Sequence, residues 1–136
     1  MANDCIFCKI IKGEIPSNKV YEDEFTYAFL DLTNDGLGHV LVIPKKHCVN
    51  VLDCDSQTLA YVMDTVKLIS NHLVDNCGFD GVNILNASGA GAEQSVFHLH
   101  FHILPRKKDD GFKTFPQLPE NPMSKEDVLK LFRIER

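Results

Sequence analysis

The run SVFHLHFHILP, residues 95–105, limits what this chain can fold into more than any other part of it. From His98 to Ile103 polar and apolar residues alternate strictly, the two-residue period of a strand with one face in a core. His98, His100 and His102 then emerge on one side, neighbours roughly 6.6 to 7 Å apart, while Leu99, Phe101 and Ile103 take the other. The apolar side demands a covering layer, and residues 55–78 supply one. Leu59, Val62, Met63, Val66, Ile69 and Leu73 recur at three- and four-residue steps, with Asp55 or Ser56 placed to cap a helix and Gly78 placed to stop it.

The other elements are short. Ile6 to Lys12 is mostly apolar and stops at Gly13 with Pro16 beyond, which predicts a short helix ending in a turn. KVYEDEFTYAFLDL, residues 19–32, holds two β-rich runs around Glu22, Asp23 and Glu24, the pattern of a hairpin. HVLVIP (39–44) is a continuous apolar run closed by Pro44. GVNILN (81–86) reads as a further strand, divided from the histidine strand by the glycine- and alanine-rich loop Ser88 to Ala92. The tail is charged until Ser124, which caps a closing helix through Val128, Leu129, Leu131 and Phe132. An α+β domain follows, with a mainly antiparallel five-stranded sheet, one main amphipathic helix and short terminal helices. At 136 residues and 44% hydrophobic, residues 1–136 suffice for a single domain, with 107–136 as its C-terminal tail.

The opening MANDCIFCK has no basic segment followed by a long apolar stretch, and no membrane-length apolar run occurs, so a cytoplasmic protein without membrane association is expected. A net charge of -5 argues against broad nucleic-acid binding, which depends on Lys and Arg neutralising phosphates, but leaves room for a small phosphate-bearing ligand. Five cysteines, an odd number in an unexported chain, point away from a disulfide framework and towards free thiols or a metal site. Cys5 and Cys8 have the spacing of half a tetrahedral zinc site. A redox pair would sit after a strand in a βαβ unit, which this N-terminus lacks, and two small buried thiols are the plainer reading.

Three of the six histidines alternating inside one apolar run is more than a solvated strand face needs. Imidazole can serve as nucleophile, proton carrier or metal ligand, the bond at one nitrogen setting the role of the other. Three histidines could hold an open catalytic zinc. Three same-face positions on a straight strand lie along a line, however, and would need a bend to converge on one ion. A linear row suits an extended phosphate ligand better.

His98-Leu99-His100-Phe101-His102-Ile103-Leu104 resembles the signature of the histidine triad family, and QSV at 94–96, CIFCKIIKGEIP, AFLD ending at Asp31, and GHVLVIPKKH are similar to family segments in the same order. The resemblance covers Cys5 to about Arg106. It implies a histidine triad fold and a nucleotide hydrolase or transferase. Such an enzyme cleaves the α-phosphorus bond of nucleoside phosphoramidates, adenylated groups or dinucleoside polyphosphates. His100 would be the nucleophile that forms a nucleotidyl-histidine, splitting one hard displacement into two easier ones. His102 and His39 would contact phosphate and assist proton transfer, Gln94 and Ser95 would hydrogen-bond phosphate or leaving group, and Asp31 would hold the ribose hydroxyls. Ile6, Phe7, Ile10, Phe29 and Leu32 would form the slot for the base. A structural zinc on Cys5, Cys8, His47 and His98, and a homodimer, are also implied. A nucleotide-binding or partner-binding module with incidental catalysis, and a zinc-dependent hydrolase using the histidine row as ligands, are the competing readings.

Two positions depart from the family pattern. Ala87 stands where many members carry an amide seven residues before the Gln of QSV, and the neighbouring Asn86 should face the other way on a regular strand. Glu93 stands where glycine is usual, next to the phosphate loop.

Overall fold

A computed structural model describes residues 4–135. The order is α1 (Ile6–Ile11), β1 (Lys19–Glu22), β2 (Thr26–Leu30), β3 (Val40–Pro44), α2 (Ser56–Cys77), β4 (Gly81–Leu85), β5 (Phe101–Arg106) and α3 (Lys125–Phe132). The five strands form one sheet in the order β1-β2-β3-β5-β4, every neighbouring pair antiparallel. The expected α+β architecture and five-stranded sheet are therefore present.

The central position of β3 explains its unbroken apolar run, since both of its faces are covered. Val40 and Val42 join Ala28, Leu99, Phe101 and Ile103 against Val62, Val66 and Ile69 of α2. Leu41 and Ile43 look the other way, joining Tyr27 and Phe29 against Phe7 and Ile10 of α1. Each such side chain taken fully from water stabilises the domain by about 1.5 to 3 kcal/mol. The two helices thus sandwich the sheet, and the histidine side of β5 faces the α1 layer.

Local chemistry sets the helix limits. Asp55 is the cap of α2, accepting from the Thr58 amide at 3.1 Å, and Gly78 ends it in the left-handed region at φ 80°. Of the periodic residues, Met63 lies outside the contact face, whereas Thr58 and Thr65 are buried, Thr65 sharing a 2.7 Å hydrogen bond with Thr26 of β2. Ser124 caps α3 as expected, but Leu129, Leu131 and Phe132 remain exposed. Arg106, at the end of β5, forks onto both Asp110 oxygens at 2.8 and 2.7 Å and onto Asn83 at 2.7 Å, tying the tail to β4. Among the described residues no helix is long and apolar enough to cross a membrane.

The histidine strand is shorter than its alternation implies. Residues 96–98 are bent and β5 starts only at Phe101. Its neighbours run out there: the pairing ends at Val42 opposite Phe101 on one side and at Leu85 opposite His102 on the other. Residues 98–100 are held instead by single bonds, Leu99 N to Cys48 O at 2.8 Å and Asn86 Nδ2 to His100 O at 2.9 Å. The strand has ended before Asn86, which frees its amide to turn back to the histidine segment, contrary to the orientation expected from a regular strand.

Candidate active site

His100 is buried beneath the α1 layer, with the Phe7 ring edge-on at 5.2 Å. Its Nδ1 lies 2.8 Å from the His98 carbonyl oxygen, an acceptor, so Nδ1 carries the proton and the lone pair is on Nε2. Nε2 has no partner among the described residues, and Ser70 Oγ is the only fully enclosed side-chain N or O atom without one among them. His100 Nε2 is therefore an open nitrogen with a free lone pair at the end of a fixed ring.

On one side of it stands a hydrogen-bonded pair. His102 Nδ1 and His39 Nε2 are 2.7 Å apart, and His39 Nδ1 faces Asp35 Oδ1 at 3.1 Å and Asp31 Oδ2 at 3.8 Å. Burial, followed by the neighbouring His100 and His39 rings, pushes His102 down to about 4 against the opposing pull of Asp31 and Asp35, so His102 is neutral at pH 7. The ring centroids of His100 and His102 lie 5.1 Å apart, and those of His102 and His39 5.0 Å.

On the other side the row changes character. His98 is fully buried and directs Nε2–H to the Pro44 carbonyl at 2.9 Å, which leaves the Nδ1 lone pair facing Cys5 Sγ at 3.2 Å, Cys8 Sγ at 3.5 Å and His47 Nδ1 at 3.1 Å. These four donors lie within 4.8 Å of one another. Tetrahedral zinc with two sulfur and two nitrogen ligands spaces its donors by about 3.3 to 3.8 Å, so the set fits that ion. A backbone carbonyl on the far nitrogen is the usual device for orienting a ligating imidazole. Burial pushes His98 down to about 4, keeping it neutral, and burial followed by the adjacent Cys5 thiol pushes Cys8 up to about 11. A divalent cation is what turns such buried thiols into thiolates. When bound, zinc would cross-link α1, the segment after β3 and the histidine segment. His98, His100 and His102 form no donor cluster of their own among the described residues, and His98 points away from the other two functions.

Phe7 separates the two halves, meeting His98 at 5.8 Å as well as His100. It also walls a cavity of about 390 Å³ together with Ile6, Ile10, Phe29, Leu32 and Asp31, so the whole expected apolar slot and its carboxylate share one pocket. Ile6 and the 91% exposed Leu32 are its rim rather than its floor. Val96 of QSV also lines it, as do Ser17 and Asn18, two residues that no periodicity or motif distinguishes. Asp31 Oδ2 accepts from the amide and hydroxyl of Thr33, and among the described residues Oδ1 has no hydrogen-bond partner.

The loop before the histidines is fastened by Gln94. Its Nε2 donates to Val49 O at 2.7 Å and Val96 O at 3.0 Å, and its Oε1 accepts from Gly89 N at 2.8 Å and Asn50 Nδ2 at 3.1 Å. Both donors of the amide are thus engaged inside the protein. Ser95 is exposed and lines a second cavity with Cys5, His47 and Phe97. Glu93 is exposed at φ 72°, the left-handed conformation that makes glycine the easier residue there.

Comparison with known proteins agrees with this fold. The chain is 36% identical over 121 residues to the adenosine 5'-monophosphoramidase hnt1 of Schizosaccharomyces pombe, covering 85% of this chain and 88% of that one. The crystal structure of a HIT family protein from Bacillus anthracis superposes with a TM-score of 0.83 at 37% identity, covering 96% of this chain and 94% of the other. A zinc-bound histidine triad family protein from Mycobacterium smegmatis superposes with a TM-score of 0.78 at 35% identity, covering 88% and 86%. The HIT domain model matches residues 12–109, and the chain belongs to that family.

Proposed function

We propose that this protein hydrolyses the α-phosphorus bond of nucleoside monophosphate derivatives through a nucleotidyl intermediate on His100. The observation that carries the reading is the ring itself: Nδ1–H is held by the His98 carbonyl, so the free lone pair sits on the open Nε2. The amidase named among the relatives supports the substrate class. In the first step Nε2 bonds to the α-phosphorus while the bond to the leaving group breaks, that group keeping the electron pair and taking a proton from solvent. In the second, a water oxygen bonds to phosphorus and displaces Nε2, which regains its lone pair, while the water gives up a proton to solvent and the nucleotide leaves. The base would lie in the cavity walled by Phe7 and Phe29, with Asp31 Oδ1 receiving a ribose hydroxyl and His102 and His39 facing phosphate. Gln94 acts by holding the loop, and Ser95 is the exposed hydroxyl available to phosphate or leaving group.

A structural zinc on Cys5, Cys8, His47 and His98 and a homodimeric, cytoplasmic state complete the proposal. A catalytic zinc on the histidine row is disfavoured because His98 belongs to the cysteine cluster. Incubation with adenosine 5'-phosphoramidate tests the reading: AMP release that disappears in His100→Ala supports it. Nucleotide binding with no turnover in the native chain would replace it with a binding module.

A further inference from the structure

His39 is the hinge of a chain of three side chains, and its far end is a residue the signature does not contain. Asp35 sits four residues before His39 in a loop turned by Gly36 at φ 59° and Gly38 at φ 129°, with Gly38 N donating to Asp35 O at 3.3 Å. That turn carries the Asp35 carboxylate back to His39 Nδ1 at 3.1 Å. A carboxylate only accepts, so His39 Nδ1 must carry a proton. The partner nitrogen, Nε2, meets His102 Nδ1 at 2.7 Å, and only one proton fits between them.

Two arrangements follow. With His39 neutral, His102 donates from Nδ1 and its Nε2 is a lone pair that repels a phosphate oxygen. With an extra proton on the pair, His39 donates from Nε2 to His102 Nδ1, and His102 Nε2–H becomes a donor towards phosphate. The charge then sits on His39, against Asp35 at 3.1 Å and Asp31 at 3.8 Å, while His102, partly buried between His39 and His100, stays neutral. Resting on the function proposed above, we propose that Asp35 is a positioning residue that stabilises the protonated His39 and so selects the tautomer in which His102 offers Nε2–H to the phosphate. Asp31 does not serve equally, because it is beyond hydrogen-bond distance of His39 and is engaged by Thr33.

The experiment compares native protein with Asp35→Asn and Asp35→Glu by single-turnover AMP release from adenosine 5'-phosphoramidate between about pH 5 and 9, together with ¹⁵N NMR of the histidine rings. Asp35→Asn should lower the rate at pH 7.5 about three- to ten-fold, by moving the alkaline fall of the profile down by up to about one pH unit. The ring spectra should show His102 changing tautomer, Asp35→Glu should recover most of the rate, and KM should change little. An unmoved profile with unchanged His39 and His102 spectra would overturn the proposal. A rate loss at every pH, equal in the Glu variant and without a tautomer change, would also overturn it by assigning Asp35 to loop structure. If His100→Ala retains turnover, the covalent reading fails separately, and the ring spectra alone decide the role of Asp35.

Discussion

At the scale of single residues, the site works by fixing which nitrogen of each ring is free. His98 and His100 are two residues apart and have opposite assignments, because one gives Nε2–H to Pro44 O and the other gives Nδ1–H to His98 O. His100→Ala should reduce AMP release by at least about a thousand-fold, since a nucleophile cannot be replaced by its neighbours. His102 provides a pH prediction. Its folded value of about 4 lies below the ordinary 6.5, so between those values the unfolded chain takes up a proton that the folded ring refuses. The stability this ring contributes is complete above about pH 6.5 and lost as pH falls towards about 4. Urea denaturation at about pH 7 and 5 should show a larger loss in native protein than in His102→Gln, and equal losses would refute the assignment. The three histidines were legible because alternation places side chains by simple geometry. Asp35 and Asn86 were not: the first reaches His39 through a glycine turn, and the second reaches His100 only because β4 has ended.

At the scale of elements, alternation held where a strand had partners and lapsed where it did not. Leu99 lies beyond the paired part of β5 yet is fully buried against α2, so the residue period outlasts the ladder. Leu99→Ala should destabilise the domain by about 3 kcal/mol, seen as a lower urea midpoint with little change in the slope. The boundaries of α2 were readable from Asp55 and Gly78, because a side-chain cap and a positive φ are local demands. The buried Thr65 was not, since its place in the core depends on Thr26 arriving from β2. The bend at 96–98 had no signal in the alternation, and His98 lies within it with its Nδ1 facing the cysteines.

At the scale of the whole molecule, the proposed function divides one row of side chains, giving the cysteine cluster with His98 the role of holding the fold and the remaining histidines that of acting on phosphate. Short incubation with a strong chelator should lower the unfolding temperature by more than about 10 °C while leaving early turnover nearly intact, and Cys8→Ser should do the same without chelator. Immediate loss of turnover with an unchanged unfolding temperature would instead place the metal in the chemistry. The sheet and the helix that covers it were readable because both follow from patterns of burial, whereas the cavity residues, plain core by burial alone, were distinguished only by the family resemblance. How the loops close the site was not, because Gln94, Asn50 and Val49 meet across 44 or 45 residues of chain.

The decisive measurement is mass spectrometry of protein quenched during turnover of adenosine 5'-phosphoramidate, followed by peptide mapping. An acid-labile adenylyl group on the peptide containing His100, absent in His100→Ala, is the predicted result. A group attached to another residue, or rapid turnover with no adduct under any quench time, would contradict the account.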